Sequence, residues 1–136
     1  MKIVVTVGVF DLLHYGHFEL FRRAKELAGQ DGKLIVAVQN DAIVTKYKPT
    51  TKLIYDWNTR VRMIEAIRYV DEVVPYDDVD EFVKTVEFNV FVVGGDQNHS
   101  GFQRAVQWCR EQGREVVRLS RTTGISSSQI RQGENH

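Results

Sequence analysis

Lys2-Ile3-Val4-Val5-Thr6-Val7-Gly8-Val9-Phe10-Asp11-Leu12-Leu13-His14-Tyr15-Gly16-His17, continued by Phe18 through Ala28, carries the chain from a β-branched run through a glycine turn into a helix. The run at residues 2-7 has strand composition. Beyond the turn, Phe21, Ala24, Leu27 and Ala28 recur on one face at helical spacing, while Arg22, Arg23, Lys25 and Glu26 cover the other. A strand, a tight turn and a helix with one apolar stripe make the opening of a βαβ unit.

Outward from this stretch the same alternation repeats. Strands are predicted at 33-39, 71-75, 89-93 and 115-119, and helices at 58-69, 79-87 and 101-112, the last ending at Gly113, which suits a left-handed cap. A short final helix is predicted from near Ser127. The polar segment from Lys46 to Asn58 reads as a mobile loop. Crossovers between parallel strands are right-handed, so the expected α/β fold is a single-domain, Rossmann-like, open five-stranded parallel sheet with helices on both faces. Its expected extent is residues 1-132, with 133-136 a frayed tail. Ligands of such sheets bind at the carboxyl ends of the strands.

Composition narrows the function. The 136 residues carry 18 Lys+Arg against 18 Asp+Glu, so no global field favours nucleic acid or an anionic membrane, and any anion site must be local. A single cysteine, Cys109, cannot form an internal disulfide. The apolar start is too short for a signal-peptide core and no run of apolar residues is long enough to span a bilayer. The expectation is a soluble cytoplasmic protein with no membrane and no nucleic-acid partner.

His14 and His17 stand three residues apart where the first helix begins, and would share one face. A helix N-terminus offers unpaired N–H groups and a partial positive charge, so imidazoles there can hydrogen-bond a phosphate and stabilise charge developing during its transfer. Gly16 keeps the space between them open. Two half-buried histidines satisfied by backbone carbonyls are the plainer reading of an isolated pair; a zinc pair lacks an evident third ligand. Near the other end, Arg121-Thr122-Thr123-Gly124-Ile125-Ser126-Ser127-Ser128 follows the last strand and precedes a helix-like segment. Gly124 permits close backbone approach, Ser126 and Ser127 can donate or cap, and Arg121 supplies a charged fork; alone, such a run is usually a solvated loop with a cap.

Together, Gly8-x-Phe10-Asp11-x-x-His14-x-Gly16-His17 and Arg121-Thr122-x-Gly124-Ile125-Ser126 resemble the cytidylyltransferase family, a likeness that spans nearly the whole chain and takes in Lys46-x-Lys48, Arg60 and Arg68-Tyr69-Val70-Asp71-Glu72-Val73. The resemblance implies transfer of CMP from CTP to a small phosphorylated alcohol, glycerol 3-phosphate foremost, with Mg2+ carried by CTP, and a homodimer. It assigns catalysis to His14, His17, Lys46 and Arg121. Nucleotide binding is assigned to Gly8, Val9, Phe10, Asp11, Gly16, Arg68, Asp71, Gly94, Asp96, Arg121, Thr122, Gly124, Ile125, Ser126 and Ser127. Lys46, Lys48 and Arg60 are expected on the substrate phosphate, and Arg68 and Asp71 beside the base. Two departures stand out: Val9 replaces a hydroxyl residue, and Gly94-Gly95-Asp96 resembles heptose-type adenylyltransferases. An adenylyltransferase using ATP and a sugar phosphate, or a nucleotide-binding sensor without turnover, are the alternatives.

Overall fold

The computed structural model describes residues 1–50 and 52–120. In chain order the elements are β1 (Ile3–Gly8), α1 (Tyr15–Ala28), β2 (Lys33–Gln39), α2 (Asp41–Tyr47), α3 (Trp57–Glu65), β3 (Glu72–Tyr76), α4 (Val79–Phe82), β4 (Val90–Gly94), α5 (Ser100–Glu111) and β5 (Glu115–Leu119). The strands form one parallel sheet in the order β3-β2-β1-β4-β5, with Val5 opposite Ile35 on one side and Phe91 on the other. Each strand lies within a residue of its predicted place.

Alternation along the strands divides the core in two. Val4, Leu34, Val36, Val38, Val90 and Val92 face α1 and α3, whereas Val5, Val7, Ile35, Ala37, Phe91 and Val93 face α4 and α5. Helices therefore cover both faces, and the central strands need apolar side chains on each, which is why they read as unbroken Val/Ile runs. Phe102 and Val106 of α5 are buried as their spacing predicts, and Trp108 packs against them. No described helix is long and apolar enough to cross a membrane.

This strand order also sets where a ligand belongs. From β1 the chain moves outward to β2 and β3, then crosses to β4 on the far side of β1. The connections leaving β1 and β4 therefore diverge, opening a crevice at their carboxyl ends. Gln97 spans its floor, donating from Nε2 to the Val7 carbonyl at 2.9 Å and accepting from the Gly94 N–H at 2.8 Å.

Three helices depart from prediction. α3 ends at Glu65, and the chain continues in tighter turns, Ile67 N–H to Ile64 O and Val70 N–H to Ile67 O, that deliver it to the sheet. α4 is a single turn, because the Thr85 hydroxyl and N–H both take the Phe82 carbonyl. α2 occupies Asp41–Tyr47, so the expected mobile loop starts later than Lys46. Gly113 has the left-handed φ of 75° expected of it. The predicted final helix and the 133-136 tail lie outside the described residues.

Candidate active site

The histidine pair builds the N-terminus of α1. His14 is the N-cap, its Nδ1 accepting from the Gly16 N–H at 3.1 Å, and His17 Nδ1 accepts from the His14 N–H at 3.3 Å, a reciprocal capping box. The rings stack with centroids 4.0 Å apart. A nitrogen that accepts carries no proton, so in each neutral ring the proton sits on Nε2, which becomes a donor. Burial, reinforced by the neighbouring His14, lowers the His17 pKa to about 3, so this ring stays neutral at physiological pH. The Nδ1 atoms thus accept from backbone N–H groups, where the plainer sequence reading has histidines bonded to backbone carbonyls. α1 has no acidic residue in its first turn. Its dipole end is therefore left to an incoming anion.

The turn feeding this helix is held from beneath. Phe10 adopts φ 54° and is 7% exposed, its ring meeting His17 edge-on at 5.4 Å and Phe21 at 5.3 Å. Gly8 gives that ring room: a Cβ there would lie 2.7 Å from the Phe10 ring. Asp11, 3% exposed, accepts from the backbone N–H of Ile54 and Tyr55 at 2.9 Å each. It thus ties the far half of the expected mobile loop to the histidine turn, a role the sequence left open.

Arg60 differs from its expected place on the substrate phosphate. It is fully buried; Nη1 donates to the Val9 carbonyl at 2.7 Å and Nη2 pairs with Asp41 at the start of α2. A side chain sealed by the core cannot also reach a solvent-borne phosphate. Its Val61 and Ile64 neighbours, one and four residues on, are core too, so its helical phase in α3 was the available signal.

Arg68 and Asp71 lie in the connection that leads into β3. In a parallel sheet a segment that precedes a strand lies at the amino edge, and Asp71 precedes β3, accepting from the Leu34 N–H and from Lys25 Nζ, both at 2.7 Å. Leu34 is the second residue of β2, five residues or about 16 Å from its carboxyl end at Gln39. Arg68 donates to the Tyr69 hydroxyl and stacks on its ring in the same connection. Both therefore sit toward the edge of the sheet opposite the histidine turn.

Lys46 and Lys48 do lie at the carboxyl edge, exposed, on the last turn and cap of α2. Tyr47 between them hydrogen-bonds Asp78 at the start of α4, and Lys46 Nζ sits 5.4 Å from the Tyr47 ring centre. Gly94 ends β4 at the crevice, its carbonyl accepting from Arg118 at 2.8 Å, and Asp96 is exposed in the turn beyond. Sequence reasoning missed Gln97 and Asp41, whose roles arise only when distant strand ends meet. Arg121, Thr122, Gly124, Ile125, Ser126 and Ser127 lie outside the described residues.

A helix dipole and two stacked imidazoles at a sheet's switch point, with two lysines at the same edge of the sheet, suit an anion with several phosphates. They offer donors and positive potential without a nucleophile of their own.

Residues 5–133 match the family model described as cytidylyltransferase-like. Over 97% of this chain and 94% of the relative, the sequence is 42% identical to glycerol-3-phosphate cytidylyltransferase of Staphylococcus aureus. It is 38% identical to FAD synthase of Methanobrevibacter ruminantium across 73% of this chain and 65% of that one. Among solved structures, the lipopolysaccharide core biosynthesis protein of Thermoplasma volcanium superposes with a TM-score of 0.73 and 27% identity, covering 90% of this chain and 98% of that one.

Proposed function

Because this chain belongs to the cytidylyltransferase-like family and is a nucleotidyltransferase, we propose that it transfers CMP from CTP to glycerol 3-phosphate. A phosphate oxygen of the acceptor attacks the α-phosphorus of CTP in line; the bond to the bridging oxygen breaks and pyrophosphate leaves. The product is a CDP-activated alcohol for cell-surface polymer or lipid synthesis. Mg2+ arrives with the nucleotide as part of the substrate, and pairing of two copies enters the proposal from the family resemblance alone.

One observation carries the reading: both imidazole Nδ1 atoms accept backbone hydrogen bonds at the head of α1, so Nε2 of each ring is a donor at the helix's positive end. Donors fixed before the substrate arrives need little reorganisation as charge moves onto the departing pyrophosphate. Lys46 and Lys48 supply positive charge for the acceptor phosphate, and Arg121 with its Thr122 to Ser127 segment is proposed to close on the triphosphate.

A second reading, an adenylyltransferase using ATP, is supported by the similarity to a protein named FAD synthase and by Gly94-Gly95-Asp96. Pyrophosphate release measured with CTP, ATP, UTP and GTP, each with and without glycerol 3-phosphate, separates the two. The proposal predicts release only with CTP plus glycerol 3-phosphate; release with ATP and a different acceptor would replace it.

A further inference from the structure

Arg60 is an unusual component of a core. It is fully buried, and its Nε has no hydrogen-bond partner among the described residues. Burying an unsatisfied donor is costly, and an apolar side chain of similar length would fill the same volume without that cost. What an apolar side chain could not do is make the two polar contacts at the far end. Nη1 donates to the Val9 carbonyl and Nη2 engages Asp41, whose other oxygen accepts from the Trp57 N–H at 3.2 Å. Trp57 in turn donates from its ring to the Val38 carbonyl at 3.1 Å, at the end of β2.

The held carbonyl belongs to the peptide that joins Val9 to Phe10. Phe10 immediately follows with a φ of 54°, a conformation that a bulky L residue holds only when its surroundings impose it. That conformation lays the ring over Gly8 and brings it edge-on to His17. A continuous chain of contacts thus runs from Asp41 through Arg60, the Val9 peptide and the Phe10 ring to the second imidazole.

We propose that Arg60 is a positioning residue: by gripping the Val9 carbonyl it fixes Phe10 in its left-handed conformation, and Phe10 then holds His17 with Nε2 toward the phosphate. It also connects α2, which carries Lys46, to the turn that carries the histidines. The inference rests on the cytidylyl-transfer reading for its kinetic consequence, but its structural half stands apart from it.

The variants Arg60→Met, Arg60→Lys and Asp41→Asn test it, each followed by pyrophosphate-release kinetics and by the imidazole 15N shifts of His17 in the ligand-free protein. Arg60→Met should lower kcat roughly tenfold to a hundredfold, the range expected of a small misplacement of a reacting group. The KM for glycerol 3-phosphate should stay within about twofold, since no substrate contact is removed. Arg60→Lys, which lacks the fork, should fall in the same direction, and both variants should lose the single Nε2–H signature of His17.

A folded Arg60→Met protein with wild-type kcat and unchanged His17 shifts would overturn the proposal; so would a raised KM at constant kcat, the mark of direct substrate contact. If Arg60→Met does not fold, Asp41→Asn decides, because its side chain is partly exposed: reduced kcat and altered His17 shifts support the link, and no change in either refutes it. Should the wild-type protein release no pyrophosphate from any nucleotide, the functional reading fails, while the His17 shifts still decide whether Arg60 orients the ring.

Discussion

His17 shows how far a residue's chemistry departs from its type. An imidazole in water titrates near neutrality, yet here burial and the adjoining His14 ring hold its pKa down to about 3. Above pH 6.5 the ring is neutral in both folded and unfolded chains. Between there and about 3 only the unfolded chain takes the proton, so stability falls as pH falls through that window. Urea unfolding of wild type and His17→Gln should therefore show the wild type losing its relative advantage between pH 7 and 5. A constant difference would mean that the ring titrates normally. Asp11 departs in another way: its type suggested a metal ligand, a cap or an imidazole partner, and its geometry makes it the acceptor for two backbone N–H groups 43 and 44 residues away.

Elements carry these residues to the carboxyl edge, and their legibility in the sequence varies with the periodicity that marks them. The five strands and α1 and α5 were readable because each must bury one or both faces. α2 was not, since Ile43 and Val44 are β-branched, its seven residues span barely two turns, and its start is fixed by Asp41 bonding to residues of α3. The place of Arg68 and Asp71 at the amino edge follows from a rule already at hand: residues between a helix and the following parallel strand lie at that edge. At the helix α2 a prediction follows from the Tyr47–Asp78 hydrogen bond, which fastens the segment bearing Lys46 and Lys48 to the start of α4. Tyr47→Phe removes only that exposed contact, so steady-state kinetics should show the glycerol 3-phosphate KM rising roughly two- to fivefold at little-changed kcat. An unchanged KM would separate the lysines from acceptor binding.

The whole molecule divides its labour between the two edges of the sheet. At the amino edge Asp71 ties α1, β2 and β3 together through Lys25 and Leu34. At the carboxyl edge the divergent connections after β1 and β4 leave room for the histidine turn, with Gln97 joining the two strands. Repeated alternation made this arrangement legible as a fold, and two short motifs made it legible as a family. The histidines' Nδ1 contacts were not legible, because they depend on ring rotamers that no spacing specifies. If the edge that binds also performs the chemistry, changes there should separate turnover from stability. The most direct measurement is kcat for pyrophosphate release by His14→Ala and His17→Ala beside their urea unfolding midpoints. The account predicts losses of roughly a hundredfold or more in kcat for each variant, with unfolding weakened only by about 1 kcal/mol for the lost His14 cap. Wild-type turnover in both variants would contradict it.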